Sequence, residues 1–221
     1  MNVVKVFLAG EGQNELGSRF GHRAYQTDER PGVIVALLSR VSRTGWEVGG
    51  ARGWSSSKTK SFVATPNSST ARGIARARVD REDTRIVLIV ANDAIEAECS
   101  VLAFLRDADK DEQREQAVLD GIEMIPSTLN TELKTIGAVV VPKLEAWVLA
   151  ALGNAKTEDL TPAGADRELA GAGIDAKSTE AFVAVFDDES LDLDELPADA
   201  TRLRGWLARA REVLPPHSDD G

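Results

Sequence analysis

Asp107, Asp109 and Asp111 place three carboxylates on alternate residues, directly after the apolar run Leu102-Ala103-Phe104-Leu105 and a single Arg106. A run of this kind reads as a buried strand, because strands covered on both faces lack polar alternation. At the carboxyl end of such a strand, Asp107 and Asp109 point into the crevice where open α/β sheets hold their ligands. Two carboxylates placed there repel each other unless a cation lies between them. Hard oxygen donors suit magnesium or manganese.

Other apolar runs end in the same way. Residues 3 to 9 read as a first strand that breaks at Gly10-Glu11-Gly12-Gln13-Asn14-Glu15. Glycines on either side of Glu11 permit a tight turn with close backbone approach. Glu15 starts a helix, where an acid complements the helix dipole, so capping alone accounts for it. Capping accounts less well for Glu11, which belongs to the turn. Ile136 to Val141 reads as another buried strand, followed at once by Pro142-Lys143-Leu144-Glu145-Ala146-Trp147, with the proline in the first turn of a helix. Glu145 thus adds a carboxylate at a further strand end. A solvated acidic end is the plainer explanation of any one case, but it does not explain the recurrence.

The elements that must position these residues follow from the same patterning. Pro31-Gly32 precede a helix over Val33 to Leu38, after a polar loop from Ser18 to Arg30. Trp46 to Val48 and Ser61 to Ala64 read as short strands around Gly49 to Ser57, a mobile loop by composition. A helix starts near Ser68, runs to Arg78 and restarts after Asp80. Arg85 to Val90 alone resembles a strand, but strong helix formers through Ala97 favour one helix as far as Cys99. Glu112 to Ile122 reads as an amphipathic helix ended by Pro126. Past Gly153 the chain turns rich in Ala, Asp, Glu and Thr, with short helices near 166–170 and 179–186 and an acidic linker over 191–199. Thr201 to Leu214 reads as a last helix with Leu203, Trp206, Leu207 and Ala210 on one face. It either caps the sheet or meets a partner. The predicted class is α/β, a mostly parallel sheet of about four strands flanked by helices.

Composition bounds what this scaffold can be. With 221 residues, 43% apolar and 28% charged, the chain makes one sizeable core and reads as soluble and globular. It has no run of membrane-spanning length and no secretory leader is expected, so a cytoplasmic location is the expectation. The single Cys99 excludes an internal disulfide and a cysteine zinc site, and His22 and His217 lie too far apart to suggest a histidine metal site.

Charge is unevenly spread over a net of −10. From Leu16 to Arg85 there are 13 basic and 6 acidic residues, a balance of +7, against 13 basic and 30 acidic elsewhere, a balance of −17. Such a split is either a solvated arginine-rich surface or a polyanion-gripping patch beside an acidic site. Arg52, Trp54, Lys58 and Lys60 in the Gly/Ser-rich loop combine cations for phosphate with an aromatic that can stack on a base.

Rival owners of an Asp-x-Asp cluster fail. A calcium-binding helix-loop-helix wants Gly at the sixth position and Glu at the twelfth, where this chain has Glu112 and Val118. An aspartyl phosphatase wants Thr where Asp111 stands, and the phosphate-cradling Gly-Lys-Ser loop is absent.

In order, Glu11-Gly12-Gln13-Asn14-Glu15, Asp107-Ala108-Asp109 and Pro142-Lys143-Leu144-Glu145-Ala146-Trp147, each after a strand, resemble the Toprim fold. The nearest likeness is to the small stand-alone Toprim proteins of bacteria, similar to the overcoming-lysogenization-defect nucleases. Asn14 stands where those proteins typically have Thr. The resemblance covers residues 1–152 as a catalytic domain, leaving 153–214 as an acidic helical extension and 215–221 as a disordered tail. It implies magnesium- or manganese-dependent phosphodiester cleavage of DNA or RNA with two ions. Asp107 and Asp109 would hold metal directly, Glu11 would be a ligand or general base, and Glu15, Asp111 and Glu145 would complete the metal set. Lys143 would neutralise charge on the transferring phosphate. It further implies phage defence with an ATPase partner, with a homo-oligomer also admitted. The alternatives are a non-catalytic subunit held by an ATPase and a phosphohydrolase of small nucleotides.

Overall fold

The computed structural model describes residues 3–17, 30–54, 81–108, 111 and 113–216. The apolar runs become β1 (Val4–Gly10), β2 (Trp46–Gly53), β3 (Val101–Asp107) and β4 (Lys134–Val140). Between and after them lie α1 (Gln13–Leu16), α2 (Val33–Val41), α3 (Glu82–Glu96), α4 (Arg114–Leu129), α5 (Leu144–Ala151), α6 (Pro162–Gly171), α7 (Thr179–Asp187) and α8 (Thr201–Val213), with a 3-10 turn at Thr157–Asp159. All strand pairs are parallel, in the order β2-β1-β3-β4. The chain steps from β1 outward to β2, then returns past β1 to β3 and onward to β4. The direction of travel therefore reverses between β1 and β3, which is where open α/β sheets place their ligand crevice.

Period-two alternation sorts the strand residues onto two covered faces. Val6, Leu8, Ala103 and Leu105 pack with α2, α5, α7 and α8, whereas Phe7, Ala9, Leu102 and Phe104 pack with α3 and α4. Both faces are buried, which is why β3 shows no polar residue until Arg106.

Several expectations are corrected. The loop expected over Gly49 to Ser57 is strand as far as Gly53, paired with β1 through a register shift that skips Gly49. Its glycines serve close packing: a Cβ at Gly49 would lie 2.5 Å from Cys99 Sγ, and one at Gly50 2.8 Å from the Phe7 ring. Pro126 does not end α4 but lies inside it. Buried Ile125 keeps the last turn on the core, and the helix stops at Asn130 with φ of 49°. Pro142 precedes α5 rather than occupying its first turn, since the helix begins at Leu144.

The segment 153–214 does not form a core of its own. Phe182, Phe186, Leu203 and Trp206 share one apolar cluster with Leu8, Leu105 and Trp147. Trp206 meets Trp147 edge-on at 6.3 Å and donates its indole N–H to the Phe104 carbonyl at 3.4 Å. Leu193 and Leu196, in the stretch expected to be an acidic linker, are buried as well. The expected elements at 61–64 and 68–78, most of the 18–30 loop and the tail from 217 lie outside the described residues. No helix among the described residues is long and apolar enough to cross a membrane.

Candidate active site at the carboxyl edge of the sheet

Parallel register brings the strand ends together. Asp107 pairs with Val140 at the end of β4, and the Ala108 N–H donates to the Val140 carbonyl at 2.8 Å. The turn after β1 delivers Glu11 to the same place, where its Oε1 accepts the Asp107 backbone N–H at 3.1 Å. Asp107 Oδ1 in turn accepts the Leu144 N–H at 3.0 Å. Helix α5 has no cap from its own Lys143, so the β3 aspartate caps it from across the crevice. The ends of β1, β3 and β4 are thus tied by two carboxylates.

Beneath Glu11 lies an ion network that sequence reading missed. Arg106, 6% exposed, pairs with Glu11 through Nη1 and with Asp83 Oδ1 through Nε at 3.1 Å. Asp83 Oδ2 accepts from Arg114 Nε at 3.2 Å, and Arg114 Nη1 donates to the Asp107 and Ala108 carbonyls at 2.7 and 3.1 Å. The Trp54 indole donates to Asp83 Oδ1 at 3.3 Å, lies 5.6 Å from the Arg106 guanidinium carbon and packs on Phe104. A guanidinium in a buried strand must find partners, and that requirement was the available signal for Arg106. Asp83 stands in the first turn of α3, an ordinary place for an acid, so nothing in its local sequence marks it.

The other side of the crevice is balanced differently. Glu15 is 5% exposed and accepts the Gly12 N–H at 2.8 Å. Burial pushes its carboxyl above the ordinary glutamate value; its backbone hydrogen bonds oppose this, and the charge of Glu145 adds to it. Glu145, 8% exposed, has Lys143 Nζ at 3.4 Å. Lys143 also pairs with Asp166. Burial works against the Lys143 charge, but Asp166 and Glu145 outweigh it and hold its pKa above the ordinary lysine value.

Of the expected site residues, Glu11, Glu15, Asp107, Lys143 and Glu145 gather at this edge. Asp111 is exposed and accepts the Gln113 N–H at 3.0 Å, turning the chain into α4. Asp109 lies outside the described residues, as do Lys58 and Lys60. Arg52 is on β2 and pairs with Asp93 of α3, so it is not on a mobile loop. Trp54, expected to stack on a base, is 1% exposed and committed to Asp83 and Phe104.

Among the described residues no three acidic, histidine or cysteine side chains are gathered to hold an ion. The chemistry of the donors nonetheless fits a hard divalent cation, being carboxylate oxygen throughout. Burial, more than the charge of Glu145, disfavours the ionised form of Glu15. No family model, curated protein or solved structure matches the chain.

Proposed function

We propose that the chain is a Toprim-like, magnesium- or manganese-dependent nuclease that cleaves phosphodiester bonds of DNA or RNA. The observation that carries this reading is that Glu11, after β1, accepts the Asp107 N–H at the switch point, while Asp107 accepts the first N–H of α5, the helix that carries Glu145. Glu15, Asp107 and Glu145, together with Asp109, would hold the cation or a pair of cations. When bound, such ions supply hydroxide and stabilise attacking and leaving oxygens. The chain's own contributions are orientation and charge. Arg106 fixes the Glu11 carboxylate, which would serve as a ligand or as the base that takes a proton from water, and the α5 N-terminus fixes Asp107. Lys143 keeps its proton against burial and brings a positive charge to the mouth of α5. An effector role in phage defence beside an ATPase partner belongs to the same proposal, as does a cytoplasmic location.

The salt bridges of Glu11 and Glu145 favour a second reading, in which the fold is a non-catalytic subunit bound by an ATPase. The separating experiment is magnesium-dependent nicking of plasmid and cleavage of tRNA, with any co-purifying ATPase present. Wild type should cleave, Glu11→Gln and Asp107→Asn should lose at least about a hundredfold, and exposed Asp188→Asn should be silent. Cleavage that survives both site substitutions rules the nuclease out, and inactivity of wild type with ATPase binding intact selects the second reading.

A further inference from the structure

Helix α1 is four residues long, yet it carries Glu15 into the crevice. A helix of one turn does not hold itself together in water, because nucleation costs more than so few hydrogen bonds return. Its cap is Gly12, which has no side chain to offer the first N–H groups. Beyond the Glu15 carboxylate that accepts the Gly12 N–H, what fixes α1 must come from elsewhere. Leu16 is wholly buried, and the Gly32 backbone runs so close that a Cβ there would lie 2.2 Å from the Glu15 carbonyl.

A further anchor is Asn14, which uses both ends of its amide. Nδ2 donates to the Ala176 carbonyl at 3.2 Å, and Oδ1 accepts the Thr179 hydroxyl at 2.9 Å. Only an amide offers a donor and an acceptor side by side at this length. A carboxylate would keep the acceptor and set a negative charge against a carbonyl oxygen. The receiving surface is itself well held. Thr179 is 7% exposed and opens α7, whose N-terminus is capped by the Ser178 hydroxyl accepting from the Ala181 N–H at 3.1 Å. Arg30 and Glu180 form an ion pair next to the clamp.

We propose that Asn14 is a positioning residue that fastens α1 to the Ala176–Thr179 segment and thereby aims Glu15, so that the C-terminal helices are part of the active site's support. This rests on the reading of Glu15 as a member of the cation-holding set. The geometry of the clamp stands independently of it.

The test uses the full chain with Asn14→Ala, Thr179→Val and Thr179→Ser. Amide hydrogen exchange is read at Gly12 and Leu16, with β3 amides as internal reference, alongside magnesium-dependent cleavage kinetics. Asn14→Ala and Thr179→Val are expected to accelerate exchange at Gly12 and Leu16 about tenfold with β3 unchanged. They are expected to lower kcat about tenfold with KM for nucleic acid unchanged. Thr179→Ser, which keeps the hydroxyl, restores both. Unchanged exchange at Gly12 and Leu16 overturns the clamp, and accelerated exchange with unaltered kcat overturns the positioning role. If wild type does not cleave, the nuclease reading fails while exchange still decides whether Asn14 fastens α1.

Discussion

On the β3 side of the crevice, Glu11 and Asp83 face Arg106 and Arg114, and each acid oxygen described there meets a guanidinium or an N–H. On the α1–α5 side, Lys143 serves Glu145 and Asp166, while Glu15 is met by the Gly12 N–H and its charge is opposed by burial and, less, by Glu145. Two acidic halves of one site are therefore neutralised in different ways. The first half is balanced by the protein's own cations and holds the strand ends in place. The second half holds a glutamate whose charged form is disfavoured chiefly by burial, and this is where the proposed cation would act. Carboxylates at a sheet edge are not equivalent merely because they are near one another.

The sharpest way to break this contrast is to unbalance the first half. Asp83→Ala leaves Arg106 and Arg114 buried without their shared carboxylate, and such losses cost about 3–5 kcal/mol. Urea unfolding of the variant reads this directly. A loss below about 1 kcal/mol would mean that the network does not hold the strand ends.

Magnesium should act on the second half. An ion bound only by the folded chain adds about 2.7 kcal/mol at a hundred times its dissociation constant. Melting with and without magnesium should show that gain for wild type and lose it in Glu145→Gln.

A smaller effect has the opposite sign. The Glu15 pKa is raised by burial, so the folded chain binds its proton more tightly than the unfolded chain does. The sign follows from linkage: the stability tied to that proton is present below the unfolded value and is lost as pH rises through the raised folded value. Glu15→Gln keeps an acceptor for Gly12 without the charge. In the absence of metal it should therefore melt higher than wild type at neutral pH, by roughly 2–4 °C for each kcal/mol gained. The advantage should shrink in acid, and a variant that melts lower at every pH would contradict it.

The smallest effect is expected at Arg52. Its ion pair with Asp93 is partly exposed, so Arg52→Ala should cost about 1 kcal/mol or less and leave the salt dependence of nucleic-acid binding unchanged. A flattened salt slope would return Arg52 to a polyanion-binding surface.

Why part of this was legible in sequence is clear from particular residues. Glu11, Asp107 and Glu145 end apolar runs, and a parallel sheet brings such ends to one edge whatever the loops do. Asp83 and Arg106 pair across 23 residues, and Arg106 and Glu11 across 95, distances that no periodicity encodes. Trp54 lay among glycines and serines that suggest a loop, yet the glycines make room for Cys99 and Phe7, and the tryptophan closes the core beneath Asp83. Leu193 and Leu196 were outvoted by the acids around them, although two buried leucines three residues apart are enough to bring that stretch onto the core.

The central proposal is that the α1–α5 side of the crevice holds a divalent cation, and calorimetric titration with magnesium, repeated with manganese, tests it most directly. Wild type and Asp188→Asn are expected to bind alike, and the double variant Glu15→Gln/Glu145→Gln at least about tenfold more weakly, a difference of about 1.4 kcal/mol. Equal affinity in the double variant and wild type, or no binding by a folded wild type, would contradict it.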